Sequence, residues 1–97
     1  MIRTVSDGTQ ALTWVDVVEP TPAELTEIAH LYGLHPTSVR DCLDPEHLPK
    51  FERFPNRIFI ILRVFDTESA PDCATVNEMT RKVAVFAGPD FVVTIHR

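Results

Sequence analysis

A chain of 97 residues is one domain, long enough to bury roughly two-thirds of its unfolded surface in a single core. Hydrophobic residues make up 44% and charged residues 24% of it, ordinary globular usage that argues against disorder. A net charge of −5 without a basic cluster excludes a nucleic-acid or anionic-membrane surface as the natural partner and makes a small cation the better guest.

Residues 2–5 and 12–18 read as two strands joined by Ser6-Asp7-Gly8-Thr9-Gln10, a turn-rich loop of hairpin length. In the second strand Asp16 interrupts the set Leu12, Trp14 and Val18. Val15 and Val17 therefore face the deeper layer, and Trp14 faces a second contact surface. Thr21-Pro22-Ala23-Glu24 is a capping box with proline at the first helical position. Leu25, Ile28, Ala29 and Tyr32 then form one buried stripe, and Gly33 supplies the left-handed stop. Pro36 opens a second helix, with Leu34 and Val39 placed for a hydrophobic staple if His35 is the cap. It ends near Leu43, because Pro45 disfavours a helical Asp44.

Residues 44–56 read as a polar connection with three prolines, with Phe51 and Phe54 tucked beneath it. The segment 58–65 reads as the central strand, apolar on both faces as a strand covered from both sides requires. Residues 67–74 are expected as a surface loop. Residues 83–86 and 91–95 form a hairpin around Gly88-Pro89-Asp90. The expected fold is α/β: a mixed sheet with a two-helix crossover, order ββααβββ, in a layered α/β sandwich, because the crossover favours parallel neighbours and the last hairpin is antiparallel.

Asp41, Asp44 and Glu46 gather at the C-terminal end of the second helix, where the macrodipole already places negative charge. Asp41 and Asp44 lie three apart and share a helical face if the last turn persists, offering hard oxygens of the kind Mg²⁺ accepts. A solvated acidic surface is the competing reading. His30, His35, His47 and His96 show no zinc spacing; His35 is read as a cap and His30 as a wet-face residue. Ser6, Ser38 and Ser69 lack a nucleophile-elbow context, and the three glycines form no phosphate loop, so no catalytic residue and no enzyme is expected. Cys42 and Cys73 are read as free thiols. Met1-Ile2-Arg3-Thr4 leads into alternation and not into a signal region, and the apolar run 58–62 is far short of the roughly 20 residues of a membrane span.

Several segments in fixed order carry a resemblance: Leu12-Thr13-Trp14-Val15-Asp16-Val17, Gly33-Leu34-His35-Pro36, Asp41, Pro49-Lys50-Phe51-Glu52, the strand through 58–64, and Phe91-Val92-Val93-Thr94-Ile95-His96. Together they resemble the cytosolic N-terminal domain of CorA-type magnesium transporters. The resemblance implies residues 1–97 as one funnel domain, with stalk helices and two transmembrane helices bearing Gly-Met-Asn following it in a homopentamer at the cytoplasmic face of the cell membrane. It implies weak regulatory binding of Mg²⁺, or of Co²⁺ or Zn²⁺, between neighbouring subunits. The family's bridging aspartate falls on Asp41, with Asp44 a second candidate, and its frequent glutamate partner falls on Arg40, whose guanidinium repels a divalent ion. A stand-alone α/β binding module for protein or small-ligand contacts is the alternative.

Overall fold

The computed structural model describes residues 1–5, 12–44, 47–65, 75 and 79–97; the loop expected at 67–74, the hairpin loop at 6–10, Glu46 and Cys73 lie outside the described residues. The elements run β1 (Ile2–Thr4), β2 (Thr13–Val18), α1 (Pro22–Tyr32), α2 (Pro36–Leu43), β3 (Lys50–Phe54), β4 (Arg57–Phe65), β5 (Thr80–Ala87) and β6 (Phe91–His96). The strands form one mixed sheet in the order β1-β2-β6-β5-β4-β3.

Alternation in the strands sorts side chains onto two faces. Val15, Val17, Phe59, Ile61, Ala84, Phe86, Phe91, Val93 and Ile95 point to the face that α1 and α2 cover, and they pack with Leu25, Ile28, Leu34 and Cys42 into one core. Full burial of each large member contributes roughly 1.5–3 kcal/mol. On the opposite face Trp14, Leu62 and Val64 stay about half exposed.

Both helices form as their caps dictate. The Thr21 hydroxyl accepts from the Glu24 amide at 3.1 Å, and the Glu24 carboxylate accepts from the Thr21 amide at 3.0 Å. That amide and the nearby N-terminal ammonium hold the Glu24 carboxyl below its usual range. His35 caps α2, its Nδ1 accepting from the Thr37 amide at 3.2 Å, while Leu34 is buried in the core and Val39 packs against that core. Gly33 closes α1 at φ 63°, and Arg57 Nε donates to the Tyr32 carbonyl at 3.1 Å. The guanidinium also lies 5.9 Å from the centroid of the Phe91 ring, so Arg57 ties the end of α1 to the sheet.

Three features differ from the sequence expectation. A sixth strand, β3, occupies part of the segment read as a polar connection and pairs antiparallel with β4. Its charged residues are tolerated because it is an edge strand. Pro55-Asn56 closes the hairpin, with Asn56 at φ 59° in the left-handed conformation that a type II turn places second. The strand at 58–65, expected at the centre, is β4, fifth in the sheet, and the central pair is β6 and β5. The parallel ladder joins β2 to β6 rather than to the strand after the helices, because α1 and α2 carry the chain to the far edge.

Two substitutions test this packing. At Gly33 an added Cβ would sit 3.1 Å from the Arg57 guanidinium in a left-handed backbone. Gly33→Ala is expected to lose about 1–2 kcal/mol, and Gly33→Asn less, in thermal unfolding followed by circular dichroism; an alanine variant as stable as the parent contradicts the strained cap. Ser38 is fully buried and its hydroxyl has no hydrogen-bond partner among the described residues. Ser38→Ala removes an unpaid desolvation and is expected to gain about 1 kcal/mol in urea unfolding, whereas a loss would reveal a hidden partner.

Candidate functional site

The second helix delivers Asp41 to the sheet side of its last turn, where the side chain is only 15% exposed. Lys50 at the start of β3 reaches it at 2.5 Å and touches the Glu52 carboxylate at the same distance. The imidazole Nε2 of His47 stands 3.4 Å from the other Asp41 oxygen. Hydrogen bonding to Asp41 first, and then to Glu52, pushes the Lys50 ammonium above its usual range. An ammonium thus lies between two carboxylates, in the kind of position a bound cation takes.

Lys82 fixes the same helix end from β5. Its ammonium donates to the carbonyls of Asp41 and Cys42, each at 2.8 Å, and to that of Asp44. Three ammonium protons meet three carbonyls at the negative end of the helix dipole, where those of Asp41 and Asp44 also accept the amides of Asp44 and His47 at 3.3 Å each. Burial lowers the Lys82 pKa, with Cys42 and Asp44 opposing the shift. Burial likewise pushes the Cys42 thiol up to about 12, so it stays protonated and unreactive at neutral pH.

The helix ends at Leu43, and Asp44 is already extended at ψ 108°, so the two aspartates do not share a continuing turn. Asp44 is exposed, as is Arg40. Consecutive helical residues point about 100° apart, which is why Asp41 faces the sheet while Arg40 faces solvent. Among the described residues no group of three or more histidine, cysteine or acidic side chains is close enough to hold a metal ion. Asp41 brings hard oxygens suited to Mg²⁺, and a complete coordination shell there needs waters or ligands from outside these residues.

A sequence-only reading finds Asp41 and misses what binds it. Lys50 was visible only within Pro49-Lys50-Phe51-Glu52, and its pairing depends on β3 being a strand. Lys82 carried no local signal at all, since its partners are backbone carbonyls about 40 positions away. A second polar cluster was also out of sight: on the face away from the helices, Asp16 is buried among Thr94, His96 and Arg3. Its strangeness in an apolar set was visible, yet its partners follow only from the parallel register that sets Asp16 opposite Thr94.

No described helix is long and apolar enough to cross a membrane. No curated protein matches the chain by sequence. Among solved structures, the complete CorA magnesium transporter from Methanocaldococcus jannaschii is similar at 20% identity with a TM-score of 0.66, covering 94% of this chain and 26% of that one. The soluble domain of CorA from the same organism is similar at 20% identity and a TM-score of 0.68, covering 94% of this chain and 34% of that one. The full-length CmaX protein is similar at 17% identity and a TM-score of 0.66, covering 88% of this chain and 25% of that one. At these identities the likeness establishes the fold, and the chain spans between 25% and 34% of each of these proteins. The profile of the CorA-like Mg²⁺ transporter protein matches residues 9–97, nearly the whole sequence, and the chain therefore belongs to that family.

Proposed function

We propose that residues 1–97 form the cytosolic regulatory domain of a longer CorA-like transporter for Mg²⁺, or for Co²⁺ or Zn²⁺, and that it has no enzymatic role. Divalent cations bind weakly between neighbouring subunits of a homo-oligomer, a pentamer by the resemblance, at the cytoplasmic face of the membrane, and their presence gates the pore. Asp41 is the ligand this domain contributes, with Asp44 next to it in the chain as a second contributor. The observation that carries the reading is the Asp41 carboxylate itself, a largely buried pair of hard oxygens held against an ammonium, around which no group of three metal-ligating side chains gathers among the described residues. The half-exposed apolar face with Trp14, Leu62 and Val64 is surface of the kind an intact protein covers.

In this reading Lys50 is the resident counter-ion of Asp41. When a divalent ion arrives across the interface, the Lys50 ammonium shifts its weight to Glu52, which it already touches. The exchange of one cation for another costs little Coulomb energy and keeps the intrinsic affinity low. A millimolar site supplies only about 4 kcal/mol at standard state, so several identical sites acting together sharpen the response. Occupied sites screen facing carboxylates, and their emptying lets repulsion separate the subunits. The pairing with Lys50 is also what favours a second reading, a stand-alone α/β binding module in which Asp41 needs no metal.

The two readings separate in the full-length transporter by Mg²⁺-dependent protection against proteolysis. Asp41→Ala is expected to abolish the protection, Asp44→Asn to weaken it, and Lys50→Met to shift it several-fold toward lower Mg²⁺. Thermal unfolding of the 97-residue variants separates loss of the site from loss of the fold. Protection unchanged in Asp41→Ala, in a chain that still folds, rejects the ion-sensing role.

A further inference from the structure

The open face of the sheet holds a second polar assembly that the transport reading leaves unused. Asp16, on β2, is only 6% exposed although it lies away from the helix-covered core. His96 Nε2 stands 2.9 and 3.1 Å from its two oxygens. Thr94 donates its hydroxyl proton to Asp16 at 2.7 Å and accepts from the Trp14 indole N–H at 3.0 Å. Arg3 from β1 reaches the outer oxygen at 3.3 Å. The cluster therefore joins β1, β2 and β6 by side chains alone.

Two facts of geometry give this cluster a direction. The other ring nitrogen of His96, Nδ1, faces a main-chain oxygen of Arg97 at 2.9 Å. Both ring nitrogens thus face oxygens that can only accept, and a neutral imidazole has one N–H to offer two acceptors. Only the imidazolium satisfies both. The second fact is topological: β2 has two neighbours, β1 and β6, and β1 lies at the edge. Among the described residues the parallel β2–β6 ladder is then the sole strand pairing that fastens β1 and β2 to the rest of the sheet, and Val18 sits opposite His96 within it.

We propose that Asp16 and His96 form a proton-operated clasp across the β2–β6 seam, closed while the His96 imidazolium donates to both Asp16 and Arg97 and loosened when the ring releases a proton to water. The charged groups facing the imidazole among the described residues are Asp16 on β2, Arg3 on β1 and, in the 97-residue chain, the terminal carboxylate of Arg97; the neighbouring strand β5 presents Val85 opposite Thr94. The hydrogen bond to Arg97 and the pairing with Asp16 hold the His96 pKa above its ordinary value against the opposing effect of burial. Burial raises the Asp16 pKa, but Thr94, His96 and Arg3 more than offset it, leaving the carboxyl below its usual range. A raised histidine pKa stabilises the fold fully below the unfolded value, near 6.5, and that contribution is lost as pH rises through the folded value. The window of the switch is therefore neutral to mildly alkaline pH.

The 97-residue chain tests this directly. The His96 ring is followed by NMR from pH 5 to 9, alongside thermal unfolding and the emission of Trp14, the only tryptophan and a member of the cluster. The expected results are a His96 midpoint above 6.5, Trp14 emission changing with that same midpoint, and a parent Tm that falls by about 4 °C or more between pH 6 and 8.5. His96→Gln loses most of this fall, and the other three histidines, common to both chains, cancel in the comparison. Asp16→Asn, which keeps a carbonyl oxygen for Thr94, lowers the His96 midpoint. A midpoint at or below 6.5 in the parent, or parallel Tm profiles for parent and His96→Gln, overturns the clasp. The parent titration decides the matter even if a variant fails to fold.

Discussion

The Lys82 ammonium bound to three carbonyls at the end of α2 is the contact on which the rest of the site depends. A helix of eight residues has little stability of its own, and its C-terminal carbonyls carry the negative end of a dipole toward a buried surface. Lys82 meets that charge from β5, so the helix end is fixed against the middle of the sheet. Asp41, in the last turn of the same helix, is thereby held where Lys50 and His47 can reach it. A negative chain has placed its scarce ammonium groups at the one helix end where acidic side chains and backbone dipole add up.

The two ends of the sheet do different work. At the β3 edge, charge is concentrated and a cation is tethered: Lys50 with Asp41 and Glu52, while Lys82 on β5 holds the helix end above it. At the β1 edge, charge is buried and cooperative: Asp16 with His96, Thr94 and Arg3. Under the proposed function the first edge answers metal ions, with an ion replacing an ammonium. The second suits a response to protons, since its key cation is a histidine. Between them β5 and β6 carry fully buried apolar residues, Ala84 and Val93, and give both edges a frame.

Much of this fold was legible because the chain states its boundaries locally. Thr21-Pro22-Ala23-Glu24, Gly33 and His35-Pro36 each satisfy or release backbone groups within a few residues, and all three operate as read. Val15 and Val17 were readable as buried because alternation is a short-range rule. The strand at Lys50–Phe54 was hidden because flanking prolines and interleaved charges look like a loop until a partner strand exists. The same long-range dependence hid the partners of Asp41 and Asp16. A carboxylate is conspicuous in a sequence, but whether an ammonium, an imidazole or a metal ion answers it is decided by register between strands far apart in the chain.

The central claim is that Asp41 holds a tethered ammonium in place of a divalent ion and exchanges one for the other in the assembled protein. Anomalous diffraction from crystals of the full-length transporter grown with Mn²⁺, a stand-in for Mg²⁺, tests it most directly. The account predicts a metal peak about 2.1 Å from an Asp41 oxygen, with a second ligand from the neighbouring subunit and Lys50 swung onto Glu52. Crystals with Mn²⁺ bound elsewhere and the Asp41–Lys50 pair intact would contradict it.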